Sequence, residues 1–383
     1  MKFTYVVHAN TPPDDWAHSL QIMNMCKAFA ENGLEVTLVV PKRNLPNQKD
    51  FFEYYSIPKI FKIVKLPCID IFLRSESKVV YWIRFISFYI SARIYIWRNA
   101  TEILYSRDLY SACFFPGIVL EIHSFPKKIS AFYKKIFLIS SKIIVLTSFI
   151  KKRFSQVEVD EKNVYVAPDG VDLEVFEHTV NDINVPKNIP GVNGEDFVFG
   201  YSGTLKTMGK EKGVADCIKS LQYLDNTYKF VVIGGEGIDI EYYKKMAEEL
   251  NVSIRTIFIG KVKYAEIPIY NKMCSVLVAP FPNIEHYAYF MSPLKIFEYM
   301  ASKRPIITTT LPSLQEVLTD QKDAILIPPS DPKALSKAIM YLKENPEKAR
   351  QIAQNAYEEV SEKYTWKKRA ENILHFITLS ADI

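Results

Sequence analysis

Short apolar runs rich in β-branched and aromatic residues alternate with helix-patterned stretches along nearly all of this 383-residue chain, in two successive blocks. Strands that return only after a helical crossover pair in parallel, and a parallel sheet must be covered by helices. In the first block the pattern places strands at 3–8, 35–40, 62–66, 102–105, 118–122, 143–146 and 163–166. In the second they fall at 197–201, 229–233, 256–259, 275–279, 305–309 and 324–327. The expected fold class is therefore α/β, two Rossmann-like doubly wound parallel-sheet domains facing a central cleft. Between the blocks, the stretch "DINVPKNIPGVNGE" at 182–195 is rich in Pro, Gly and Asn and lacks either periodicity, so it reads as a linker. The expected boundaries are 1–181 and 196–364, with three amphipathic helices starting near Pro332, Pro346 and Thr365. Residues 365–383 are a candidate to pack back on the first domain.

Composition bounds the function. With 48% hydrophobic and 24% charged residues the chain has material for two cores and is not a disordered one. Five scattered cysteines, never spaced C-x-x-C, argue against a disulfide framework or a zinc site and fit a reducing compartment. Met-Lys-Phe-Thr-Tyr-Val-Val-His reads as a first strand with no cleavage-like site after it. The net charge of +5 is unevenly placed: residues 1–172 hold 23 Lys and Arg against 16 Asp and Glu. That excess favours an anionic partner or surface for the first domain. The segment 77–98, "SKVVYWIRFISFYISARIYIWR", has one polar stripe at helical spacing and a broad aromatic and aliphatic remainder. Arg84 and Arg93 interrupt it too early for a membrane span, leaving a core helix with a wet stripe or an interfacial membrane helix as its two readings.

Doubly wound sheets bind ligands beyond the carboxyl ends of their strands, so the loops there carry the candidates. No G-x-G-x-x-G follows the first strand and no Walker loop is present, which removes the main support for a dinucleotide dehydrogenase or an NTPase. "GGEG" at 234–237 follows a strand but suits a plain tight turn equally well. More specific is "SPLKIFEYMASKRPII", where Ser292 reads as an N-cap and Pro293 as the first helical residue. A helix end of that kind binds phosphate, Lys295 adds a full charge, and Glu298 one turn on can accept hydrogen bonds from vicinal hydroxyls. Asp14 and Asp15 read as loop and helix-start residues, since no second carboxylate cluster accompanies them to make a metal site.

That stretch resembles the donor segment of glycosyltransferase family 4, the retaining transferases of the GT-B fold. The likeness runs in order through "AHSLQIMNMCKAFAENGLEVTLVV", "YSRDLY", "EIHS", "VAPDGVD", "YSGTL", "KG" at Lys212, "FVVIGGEG", "IFIGKV" and "LPSLQEVL". It implies that Glu298 binds the nucleotide's ribose, that Lys212 grips the diphosphate, and that the backbone around Val262 holds the base. It further implies donor contacts at Gly203, Thr204, Gly235, Ser292, Pro293, Leu294 and Lys295, with His123 near the transferred sugar. Arg107 and Asp108 fall on the acceptor side by the same resemblance. Three positions depart from the pattern. Phe290 stands where the first glutamate of E-x7-E belongs, Thr204 where an arginine often follows Gly203, and Ala17 and His18 where paired glycines are usual. Lys206 is the candidate to restore the charge lost at Thr204.

The resemblance thus implies a retaining transferase moving a hexose-type sugar from a UDP or GDP sugar to a hydroxyl of a glycan or lipid-linked glycan. His123, Lys212, Lys295 and Glu298 would be its catalytic residues, with no metal and no other cofactor. Partners would be the nucleotide sugar, the acceptor and an anionic membrane surface, not nucleic acid, at a cytoplasmic or peripheral inner-membrane location. The alternatives are a GT-B sugar-nucleotide 2-epimerase and a non-catalytic nucleotide-sugar or membrane-surface binding protein.

Overall fold

Every one of those apolar runs forms a parallel strand in the computed structural model, which describes residues 1–379 apart from 9–12, 15, 44–49, 70–76, 127, 178–188 and 208. The chain divides into two compact units, one made of Met1–Asp169 with Trp366–Ile383, the other of Gly170–Thr365. Each unit is built on a doubly wound parallel sheet covered by helices, as the sequence pattern leads one to expect.

In the first unit the strands are β1 (Lys2–Val6), β2 (Glu35–Pro41), β3 (Lys62–Leu66), β4 (Ile103–Ser106), β5 (Val119–Ile122), β6 (Lys142–Val145) and β7 (Val164–Val166). They form one all-parallel sheet in the order β3-β2-β1-β4-β5-β6-β7. Helices α1 (Ala17–Glu31), α2 (Phe51–Tyr55), α3 (Lys78–Asn99), α4 (Ala131–Ile139) and α5 (Ser148–Arg153) make the crossovers. The strand order reverses between β1 and β4, so the loops after those two strands open at the sheet's switch point, where such folds bind ligands.

The second unit starts with α6 (Leu173–Glu177) and holds β8 (Phe197–Ser202), a two-stranded ribbon β9 (Lys206–Thr207) and β10 (Lys210–Glu211), then β11 (Tyr228–Ile233), β12 (Thr256–Gly260), β13 (Val276–Ala279), β14 (Ile306–Thr309) and β15 (Ile325–Ile327). Its main sheet runs β12-β11-β8-β13-β14-β15, again all parallel, with its switch point between β8 and β13. Because strand side chains alternate, one run feeds two cores. Val198, Val231, Ile233, Leu277 and Ala279 enter the core on one face, and Phe199, Tyr201, Phe230, Val232, Val276 and Val278 the core on the other. The covering helices are α7 (Val214–Ser220), α8 (Gly237–Glu249), α9 (Ile267–Met273), α10 (Leu294–Ala301), α11 (Pro312–Gln315), α12 (Pro332–Glu344) and α13 (Pro346–Lys363).

The division between units differs from the linker expected at 182–195. Residues 170–177 already belong to the second unit: Val171 bridges to Thr365 and Phe176 enters that unit's core. Of the expected linker, 182–188 lies outside the described residues. The last helix, α14 (Trp366–Thr378), belongs to the first unit, where Asn32 donates to the Lys367 carbonyl at 3.1 Å and the Tyr165 and Phe376 rings lie 5.0 Å apart.

The start of α10 also differs from expectation. His286–Phe290 forms one π-type turn, Met291 and Pro293 are extended, and the helix begins at Leu294 with Pro293 as its N-cap residue. Pro293 thus closes an extended run instead of opening the helix, and Ser292 is displaced from the N-cap role.

Candidate functional site

Two clusters of polar side chains stand at the carboxyl ends of the strands, one in each unit.

In the second unit the loop after β8 brings Gly203 and Thr204 to the switch point, beside the loop after β13. Glycine is required where these loops touch. A Cβ on Gly213 would stand 2.0 Å from the Pro280 carbonyl oxygen, and one on Gly234 2.4 Å from that of Gly203. Both also have φ in the left-handed region, +93° and +115°. The backbone approach at Gly213 holds Lys212 over the site, where its ammonium donates to Thr204 Oγ1 at 2.8 Å.

Lys295, in the first turn of α10, is buried with its Nζ 3.4 Å from the centre of the Tyr201 ring and 5.5 Å from that of Phe281. The ammonium has cation–π contacts but no hydrogen-bond partner among the described residues. It faces Gly203, where an added Cβ would come 3.4 Å from it. Burial, and then the neighbouring Lys212, drive the Lys295 pKa well below the usual lysine range. Burial lowers Lys212 as well, to about 8. One turn further, Glu298 is buried with Tyr264 bonded to its carboxyl; burial lifts its pKa to about 7, against the pull of Lys295 and Tyr264.

The other expected donor residues fall into place unequally. Val262 is half-buried against the core that contains Glu298's helix. Gly235 is glycine because a Cβ there would meet the Leu205 side chain at 2.4 Å, a packing demand of the loop itself. Lys206 does not stand in for an arginine at Thr204: its ammonium pairs with Asp239 at 2.7 Å and lies over the Tyr242 ring at 5.2 Å. Phe290 ends the π-type turn, half-buried, and Leu294 opens α10.

In the first unit His123 follows β5. Its Nε2 is 2.7 Å from Glu121 Oε1, and Glu121 is fully buried. Four further groups surround that carboxylate or its neighbours: Gln21 Nε2 and Arg369 Nη2 each donate to Oε1 at 2.8 Å, the Tyr105 hydroxyl donates to Oε2 at 2.5 Å, and Arg107 donates to Gln21 Oε1 at 2.7 Å. Burial opposes ionisation of Glu121, but Arg369, His123 and Arg107 overcome it and hold the pKa well below the usual range. Since an ionised carboxylate only accepts, His123 donates through Nε2 and presents Nδ1 as its acceptor nitrogen. Burial, together with Arg107, lowers the His123 pKa to about 4 despite Glu121, so the ring is neutral near neutral pH.

Asp108 is turned inward, its Oδ2 accepting from the His8 N–H at 2.5 Å and the Tyr89 hydroxyl at 2.9 Å. Ala17 is the exposed first residue of α1. His18 accepts from Arg107 through its carbonyl at 3.2 Å and has its Nε2 3.5 Å from Asp14 Oδ2. Asp14 also accepts from the Trp16 N–H at 2.9 Å, as a turn residue does; Asp15 lies outside the described residues. Among the described residues no cluster of three or more His, Cys, Asp or Glu has the arrangement of a metal site.

Several participants were missed from sequence. Glu121 lies on β5 two residues before His123, which follows the strand, and that i, i+2 spacing could have flagged it. Tyr264 and Tyr201 carry no such signal, and Arg369 reaches Glu121 across 248 residues of chain. His286 is likewise new: burial and the charges of Lys212 and Lys210 lower its pKa.

Comparison with known proteins finds glycosyltransferases in sequence and in fold. Residues 183–359 match the family model described as glycosyl transferases group 1. The chain is 25% identical to the uncharacterized glycosyltransferase MJ1178 of Methanocaldococcus jannaschii over 232 residues, 60% of this chain and 57% of that protein. It is 23% identical to the putative teichuronic acid biosynthesis glycosyltransferase TuaH of Bacillus subtilis over 281 residues, 70% of this chain and 66% of that one. The matches thus span less than two thirds of these relatives' own length. In fold it is similar to HepE of Anabaena in complex with UDP, with TM-score 0.71, 16% identity and full coverage of both chains. Fold, family match and relatives together support a glycosyltransferase of the GT-B architecture.

Proposed function

We propose that the chain transfers a hexose-type sugar, with retention, from a nucleoside-diphosphate sugar to a hydroxyl of a glycan or lipid-linked glycan. The observation that carries this reading is the buried Lys295 amine, which has no hydrogen-bond partner among the described residues, beside a second depressed lysine, Lys212. Two cations in a poorly solvated niche repel each other and lose solvation; a diphosphate relieves both costs. HepE, similar in fold, is solved in complex with UDP, and TuaH is described as a putative teichuronic acid biosynthesis glycosyltransferase, which supports a nucleotide donor and a polysaccharide-type acceptor.

In this reading Glu298, held by Tyr264, accepts from the ribose hydroxyls, and Lys212 and Lys295 bond the diphosphate oxygens. As the anomeric bond breaks, negative charge grows on the β-phosphate, and fixed cations stabilise it most at that moment. The same phosphate takes the acceptor's proton on the face from which it leaves, so no base and nucleophile pair of carboxylates is needed. Neutral His123, aimed by Glu121, offers Nδ1 to a sugar hydroxyl. The reading assigns charge stabilisation to the lysines, with no metal step.

A panel of UDP and GDP sugars screened by thermal shift identifies the donor, since a ligand of the folded state raises the melting temperature. Proton NMR of the product made with that donor then reads the anomeric centre. Retention is expected; an inverted product overturns the front-face route, and turnover of the donor without acceptor would indicate an epimerase.

A further inference from the structure

The helix α3 has a face that the enzyme reading leaves unused. Phe85, Phe88, Tyr89 and Ala92 form its core face, all at most 2% exposed, with Tyr89 bonded to buried Asp108 at 2.9 Å and the His8 ring 5.0 Å from Phe85. A second face carries Val79, Ile83, Ile86, Ile90, Ile94 and Trp97, which are 42–81% exposed. Their spacing of three and four residues makes one apolar stripe from Val79 to Trp97 along the 22-residue helix.

The stripe continues onto neighbouring elements. The Trp82 ring lies 5.4 Å from Tyr110, which lies 6.0 Å from Phe132 on α4, and Phe132 and Leu138 are about as exposed as the α3 isoleucines. By length and composition α3 could cross a bilayer. A helix anchored along its core face to the sheet is not free to do so; it can only lie flat, with the second face outward.

We propose that this surface docks the first unit on an anionic phospholipid bilayer, with the α3 stripe sunk to the level of the acyl chains and the surrounding cations at the headgroups. Charge decides the occupant. Helix α3 contains no acidic residue, and residues 78–157 hold thirteen Lys and Arg against three Asp and Glu, of which Asp108 and Glu121 are buried. Lys128 and Lys135 are exposed next to and on α4. A second copy of the chain would bring like charges together, whereas anionic headgroups attract each such cation. The surface belongs to the first unit alone and does not rest on the identity of the donor.

The test is co-sedimentation of the full chain with vesicles of phosphatidylcholine alone or mixed with phosphatidylglycerol, at low and high salt. Binding to the mixed vesicles, weakened by salt, is expected, with Trp97 emission shifting to the blue. The triple variant Ile86→Glu, Ile90→Glu, Ile94→Glu should lose vesicle affinity by about tenfold or more. Lys128→Glu with Lys135→Glu should weaken binding to the mixed vesicles only. All these positions are exposed, so a parent-like circular-dichroism spectrum and melting temperature certify the fold of each variant. Failure of the parent chain to bind mixed vesicles, or equal binding by the triple variant, overturns the proposal. So does a solution dimer that the triple variant converts to monomer, which would make the stripe a self-interface.

Discussion

Lys295 and Glu298 are three residues apart on one helix, and each is displaced toward its neutral form by burial. Binding a diphosphate sugar should restore the ammonium and therefore take up a proton, so the calorimetric enthalpy will vary with the ionisation enthalpy of the buffer. Donor affinity should also be bell-shaped in pH. As pH rises through about 8, Lys212 loses the charge that attracts phosphate; as it falls through about 7, Glu298 gains the proton that spoils it as an acceptor. Affinity measured from pH 6 to 9 checks this, and Glu298→Gln should flatten the acid limb while keeping the alkaline one. His123, already neutral with a pKa of about 4, should contribute to neither limb. The motifs that hold Lys212, Lys295 and Glu298 are legible in the sequence, whereas their burial and shifted protonation arise from packing. What was not legible is that Lys206 is taken by Asp239, because the partner of a cation on the short ribbon strand β9 depends on where a later helix, α8, is packed.

At the scale of elements, the loops of the second unit's switch point are held together by backbone contacts that only glycine allows. Gly234→Ala would push a methyl against the Gly203 carbonyl in a left-handed conformation, moving the loop that Lys295 faces. It should weaken donor binding far more than it lowers the melting temperature, a split that calorimetry and thermal denaturation together reveal. Strand positions were readable because a parallel strand buried on both faces is a short unbroken apolar run bounded by loops. The start of α10 was not: Ser-Pro before an apolar stretch has the ordinary look of a cap, yet the π-type turn at His286–Phe290 delivers the chain in an extended path that ends only at Pro293. A local motif cannot report the direction from which the chain arrives.

Across the whole molecule, the chain leaves the first unit at Asp169 and returns to it at Trp366, so α14 completes a core begun some three hundred residues earlier. Arg369 is the closure: it bonds Glu121 and the carbonyls of Ala167 and Pro168 from within a buried site. Removing one partner of such a buried pair costs about 3–5 kcal/mol, so Arg369→Ala should lower the first unit's stability sharply, and Arg369→Ala with Glu121→Gln should recover part of it. Denaturant unfolding of the three proteins measures this. No sequence pattern announces that pairing, since it depends on tertiary closure alone. The central claim, that Lys295, Lys212 and Glu298 form a diphosphate-sugar site, is tested most directly by calorimetric titration of the donor found in the nucleotide-sugar screen into the parent chain and into Lys212→Ala, Lys295→Ala and Glu298→Ala. The account predicts saturable binding by the parent and loss of about tenfold or more in each variant, as expected when a charge-assisted hydrogen bond is removed; parent-like affinity in all three would contradict it.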